Sequence, residues 1–357
     1  MHKPVKISAF RVIMIFGFIA TLLGCGDGKP NVFSSNGYHI GKEKVWYKTS
    51  LGMDIRITEI VGAHAKTFVV QSVTSKVTGR ISEYGKDQGC IYYGGAALPG
   101  CDVASFEYVG GGYSKDKNRV YYMSDVLCDD VAHFEMMDDQ FAKDASHVYF
   151  GNSVFSEDAA HFKRIGNNTS NYYTDRYKCW YGIYELKGID PNKLRYIGPD
   201  AATDETRVFY QMNEVEGADV KSYQLLDKQY TKDTHKVYRE GQAMEGADPA
   251  SFRVLDQHYT LDHQQCYYDL QAIPTADPAT FQLVDEFYAK DARSVFISEK
   301  RIEGADPATF RVLNGNAGCS CDARYAYNME NRIQGINAAS IPAGARCTSC
   351  NETGITY

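Results

Sequence analysis

One phrase recurs at a fixed interval, and nothing else limits the possible fold as strongly. Gly217–Tyr223 reads GADVKSY, Gly246–Phe252 GADPASF, Thr275–Phe281 TADPATF and Gly304–Phe310 GADPATF. Their aspartates, Asp219, Asp248, Asp277 and Asp306, stand 29 residues apart. A constant period of this length means a repeat architecture, whose units cannot bury their apolar sides alone and gain stability by stacking. The same aspartate runs back through Asp190, Asp158, Asp130 and Asp102 and forward to Asn337. A second mark is an Asp followed four residues later by a small apolar residue and then an aromatic. It recurs at Asp87, Asp116, Asp144, Asp175, Asp204, Asp233, Asp262, Asp291 and Asp322.

Each phrase has a local physical reading. Asp before Pro suits a helix N-cap with Pro at the first position, because the carboxylate accepts an orphan N–H and Pro brings none. Ser251, Thr280 and Thr309, three residues on, can bond the same turn. The aromatic that follows, as in Phe252, Phe281 and Phe310, is expected to hold one helical turn on the core. An apolar residue three further on (Leu226, Leu255, Val284) opens a strand, and an aromatic follows (Tyr230, Tyr259, Tyr288). Ala201 and Cys319 break that aromatic ladder. The second aspartate opens a tight polar turn, since its side chain can hold turn amides. A strand with adjacent apolar and aromatic residues comes next, such as Val237-Tyr238. Neighbours in a strand face opposite sides, so both faces are committed. A last strand carries Val154, Leu186, Val215, Met244, Ile273 or Ile302.

The expected fold is therefore mainly β, an array of about nine to ten units of about 29 residues, β-solenoid-like, each with three short strands and one helical turn. No stretch has the apolar spacing of a long helix. A propeller is disfavoured, since a four-stranded blade takes about 40 residues. Residues 25–86 read as an N-terminal cap holding a degenerate first copy at Val45-Trp46-Tyr47, with Gly41 in place of the Asp. Residues 87–341 form the array, and residues 342–357 a cysteine-containing tail.

Lys115-Asp116-Lys117-Asn118-Arg119-Val120-Tyr121-Tyr122 nearly spells the motif of the DKNYY family of bacterial repeat proteins, and the chain resembles that family from about Asp87 to Asp322. The resemblance implies a secreted or cell-envelope repeat protein of unknown function. It brings no catalytic residues to carry over.

The N-terminus reads as a targeting segment. Lys3, Lys6 and Arg11 precede an uncharged apolar run, Val12 to Leu23, that is short for a bilayer span. It ends Leu22-Leu23-Gly24-Cys25, which resembles a bacterial lipobox and implies cleavage after Gly24 and lipid on Cys25. Gly26 after the cysteine resembles outer-membrane sorting in a Gram-negative cell. Loss of residues 1–24 removes three positive and no negative charges, taking the formal charge from −7 to −10. So acidic a chain argues against nucleic acid and against adhesion to anionic lipid.

The aspartates recur one per phrase, where a cap or turn needs them, not in the dense alternation of a calcium loop. His133 and His161 share one repeat position and are expected as solvated side chains. No nucleophile elbow, phosphate loop or zinc-protease motif is present, so no catalytic residue, metal ligand or cofactor is assigned. Cys319-x-Cys321 with Cys347-x2-Cys350 has spacing that could hold zinc in a cytosolic protein, whereas in an exported chain cysteines point to disulfides. Cys319 and Cys321 are expected to bond Cys347 and Cys350, in a pairing left open, and one pair is expected among Cys90, Cys101 and Cys128. Cys179 and Cys266 read as buried thiols. The residue after the strand aromatic changes from unit to unit, and Tyr122, Tyr181, Tyr210 and Tyr268 are candidates for a binding surface together with the hairpin tips. The expected function is a non-enzymatic envelope lipoprotein that binds an envelope or secreted protein. An envelope enzyme with an unrecognised site and a purely structural spacer are the alternatives.

Overall fold

The computed structural model describes residues 28–74 and 81–357. The chain forms two compact units, one ending at Phe162 and one starting at Lys163. Almost all regular structure is antiparallel strand, and among the described residues there are nine four-stranded sheets, one three-stranded and one two-stranded. In each four-stranded sheet the strands follow one another in chain order as a meander.

The unit around Asp233 illustrates the build. Its strands are Gln224–Leu225, Tyr230–Lys232, Val237–Arg239 and Gln242–Ala243. The expected three strands are thus four. What reads as one strand from Gln224 to Lys232 is itself a hairpin, with Leu225 opposite Thr231. Its turn is held by a third repeated aspartate: Asp227 Oδ1 accepts from the amides of Gln229 and Tyr230 at 2.9 and 2.8 Å. Asp138, Asp256 and Asp285 do the same in their units. A strand of two residues is too short to leave an alternating pattern. Four strands therefore fit in 29 residues, and the length argument against a four-stranded unit fails.

The core residues fall where the repeat puts them. Tyr230, Tyr259 and Tyr288 of the ladder are fully buried, as are Val237, Cys266 and Val295 and the aromatics beside them. Phe252, Phe281 and Phe310 close each unit from the turn. That turn carries one i→i+3 bond, such as Thr309 N to Asp306 O at 3.2 Å. Among the described residues only the last copy continues as a 3-10 helix, Ala338–Ser340, capped by Asn337. Val154 departs from its expected place. A bulge between Val148 and Tyr149 shifts the register so that Val148 faces Ser156. Ser156 is buried there, and Val154 points outward, 51% exposed.

Candidate binding face

The second aspartate is the hub of each unit. Asp262 Oδ1 accepts from the amides of Gln264 and Gln265 at 2.7 and 2.8 Å, which closes the turn. Its Oδ2 accepts from Asp248 N, 14 residues back, at 2.9 Å, and from the Tyr267 hydroxyl at 2.9 Å. Asp87, Asp116, Asp233 and Asp322 repeat the set, and at Asp87 the upstream donor is His64 N. Burial pushes these carboxyls up, but the four hydrogen bonds outweigh it and hold them below the usual range. The tyrosine partners are pushed up by burial and then by the carboxylate they donate to. The strand aromatic is therefore more than a packing ring wherever it is Tyr. Where Phe209 stands instead, Arg207 supplies the missing donor, with Nη2 2.8 Å from Asp204 Oδ2.

The phrase aspartate works on the surface side of the hub. Ser251 Oγ donates to Asp248 Oδ2 at 2.5 Å and accepts from His263 N at 3.1 Å. Thr280 and Thr309 repeat this relay. His133 and His161 take the same place, with Nδ1 2.8 and 2.7 Å from Asp130 and Asp158. Each imidazole is thus committed to its own turn. Among the described residues no group of three or more His, Cys, Asp or Glu side chains could hold a metal ion.

Beyond the hub turn, the last two strands of each four-stranded sheet form a second hairpin. Its first turn residue has a left-handed backbone: Met123, Gln211, Glu240, Asp269, Ser298 and Met329 have φ between 49° and 55°. Gly151 and Gly182 occupy the equivalent place with φ of 62° and 56°. The amide at this position donates to the preceding turn of its own sheet, as Asp269 N does to His258 O at 2.8 Å. The tip is thereby fixed in direction. Met123, Val126, Phe150 and Val154 are exposed on such hairpins in the first unit. Ile183, Tyr184, Met212 and Met329 are exposed on them in the second.

Tyr122, Tyr181, Tyr210 and Tyr268 lie at the base of these hairpins and are half-buried. Tyr122, Tyr181 and Tyr268 pack across the sheet on Tyr113, Tyr172 and Tyr259, ring centroids 4.9 to 5.1 Å apart. Tyr181 also donates to Asp200, and burial followed by that carboxylate pushes its hydroxyl up to about 12. Tyr210 lies so close to Gly241 that a Cβ there would stand 2.7 Å from it. Each of the four therefore supports its unit as well as showing an edge. The exposed tip residues Met123, Ile183, Tyr184 and Met212 lie one to three places further on, in the hairpin tips expected to share that surface; their signal is apolar identity in a turn that has no core to fill.

Cys319 and Cys350 are joined in a disulfide, Cα atoms 5.8 Å apart. Cys321 and Cys347 are buried thiols in the same small core. Cys90, Cys101 and Cys128 stand as separate, half-buried thiols, and no pair among them is bonded. Burial, then Asp116, pushes the Cys101 thiol up to about 12. The lipidation candidate Cys25 lies outside the described residues.

A model of the DKNYY family matches residues 27–125, 126–271 and 260–331. No curated protein and no solved structure matches the chain.

Proposed function

This chain belongs to the DKNYY family, and we propose that it is a lipid-anchored protein of the bacterial envelope that works by binding a partner protein, not by catalysis. The observation that carries this reading is the division of labour within each unit. The phrase and hub aspartates and the strand aromatic are consumed by turns and core and barely vary, and the ladder aromatic departs only at Ala201 and Cys319. The hairpin tips do vary, and they hold apolar side chains in water at Ile183, Tyr184 and Met212. Apolar side chains on a rigid tip lose little conformational entropy on binding, which favours affinity. The same reading takes successive sheets as a β-solenoid-like array with one helical turn per unit. In support, the Tyr259 hydroxyl donates to Phe287 O and Ser298 O in the following unit at 2.7 and 3.2 Å. The leader places the lipid on Cys25, at the outer membrane if the cell is Gram-negative.

The test is crosslinking in the native envelope with Ile183→Ser and Tyr184→Ser combined. Exposed side chains should change stability by only about 0.5 kcal/mol, so the melting temperature stays and the crosslinked partner is lost. Tyr181→Ser is the contrasting change, since it removes a packed ring and should lower the melting temperature first. A tip variant that keeps every native crosslink would sink this reading.

A further inference from the structure

The charge of the chain is unevenly distributed. Residues 25–86 carry nine Lys and Arg against five Asp and Glu, whereas residues 87–357 carry 26 against 40. The acidity that argues against anionic lipid thus belongs to the repeats alone.

The basic region also holds the most exposed large apolar side chains of the described chain. Its hairpin, Val45–Leu51 with Asp54–Glu59, is longer than the strands of two to four residues after residue 86. The third strand, Gly37–Ile40, reaches only to Lys48, so Thr49 to Arg56 project as a two-stranded ribbon. At its tip Leu51 is 84% and Met53 100% exposed. Arg56 lies opposite Thr49, on the same face as Leu51, where it pairs at 3.4 Å with Asp54, the residue opposite Leu51. A second apolar group is held beside the ribbon. The buried Lys48 ammonium donates to Val32 O at 2.8 Å and also to Ser34 O. Phe33 N donates to Asn31 Oδ1 at 2.8 Å, and Ser50 Oγ to Asn36 Oδ1 at 2.9 Å. This built loop keeps Phe33 94% exposed. A marginal two-stranded ribbon gains nothing internally from an apolar tip.

We infer that Phe33, Leu51 and Met53 form a membrane-contact tip that seats the N-terminal region on an anionic phospholipid surface. The inference rests on the reading of Cys25 as the lipid anchor, three residues before the first described residue. Basic side chains supply attraction to anionic headgroups, and the apolar tip enters the boundary below them. A lipid chain with a second contact of this kind holds far better than one chain alone. The acidic repeats are repelled by the same surface and are kept away from it.

The experiment uses the full lipidated chain in vesicles of phosphatidylglycerol and phosphatidylethanolamine with brominated acyl chains, which quench tryptophan on contact. The L51W variant should lose about half its emission relative to unbrominated vesicles, because an interfacial side chain sits within reach of the upper acyl chain. Trp46 and Trp180, the two native tryptophans, set the background. Quenching should fall away in phosphatidylcholine vesicles and with Phe33→Ser and Met53→Ser added. If L51W is quenched no more than the wild type in the anionic vesicles, the inference is overturned. Crosslinking of the tip to a second copy in place of quenching overturns it as well. Acylation of Cys25 is read separately by mass spectrometry. If acyl groups are absent, the same quenching is read on protein added to preformed vesicles, which tells failure of the anchor from failure of the contact.

Discussion

An interior unit and the last unit share the same hub but close their cores differently. Around Asp262 the ladder residue is Tyr259, whose ring is buried and whose hydroxyl bonds the backbone of the following unit. Around Asp322 the ladder residue is Cys319, and the disulfide to Cys350 takes the place of that contact. Aliphatic and thiol side chains without a ring gather there: Leu313, Cys321, Ala326, Ile333, Ala338, Ile341 and Cys347 fill the core. Arg311 fastens the tail by donating to Ile341 O and Pro342 O at 2.8 and 2.9 Å. A unit with a successor is completed by hydrogen bonds and a large ring. A unit whose neighbour is only a short tail is completed by a covalent link.

The largest effect should come from removing a hub. Asp262→Ala strands three backbone amides and the Tyr267 hydroxyl in a buried site and should cost about 4 kcal/mol. Chemical denaturation measures it, and Asp322→Ala should cost the same if the hubs are equivalent. The hubs also set the acid limit. Their folded carboxyls lie below the ordinary 3.8, so their contribution is complete above that value and is lost as pH falls through the folded one. The surface cap Asp102, held to about 2 chiefly by Lys117 and Ser105, follows the same sign. Melting temperature should therefore be flat from neutral pH to about 5 and fall steeply below about 4. A steep fall already at pH 6 would contradict this.

Next is the staple. Cys350→Ser should cost about 2–4 kcal/mol, the usual worth of a loop of this length. The cost should be confined to the last unit. Hydrogen exchange should rise around Leu313 and Ile333 and stay unchanged around Tyr230. Reductant should bring the wild type to the same state, and an interior unit that loosens with it would erase the distinction.

A smaller change tests the exchange of donors between units. Tyr267→Phe removes one hydrogen bond to a charged acceptor and should cost about 2 kcal/mol. Gln265→Arg, added to it, reproduces the Arg207 and Phe209 arrangement and should recover a good part of the loss. No recovery would mean that Arg207 does not substitute for the hydroxyl.

The smallest effect is a gain. Ser298 holds a left-handed turn with φ of 52°. Ser298→Gly should stabilise by about 0.5–1 kcal/mol, because L residues pay for that conformation and Gly does not. Thermal unfolding reads it, and a loss would mean that the Ser298 side chain contributes more than its backbone costs.

What was legible in the sequence follows from its physics. The period, the β class, the buried ladder and the turn-forming aspartates are local or strictly periodic properties. Each could be read from residue type and spacing. Leu-Asp-Lys-Gln-Tyr at 226–230 and Leu-Asp-Gln-His-Tyr at 255–259 carried the fourth strand's turn in plain view. Periodicity alone does not reveal that turn, because strands of two residues leave no alternation. The spacing of 14 between Asp248 and Asp262, or Asp219 and Asp233, which becomes 16 between Asp306 and Asp322, likewise marked the hub.

Other facts belong to tertiary structure, because they depend on which atoms meet across segments. Only the folded chain brings Asp248 N and the Tyr267 hydroxyl to one carboxylate oxygen, or puts Arg207 where a phenol is missing. Only a bulge at Val148 turns Val154 outward and Ser156 inward. The pairing of Cys319 with Cys350, among bonds the spacing left open, was decided by how the tail lies on the last sheet. By itself the sequence determined the repeat, since each unit pays its own local costs in turns and caps. Tertiary structure decided how each buried charge and each end was satisfied, since those partners come from distant parts of the chain.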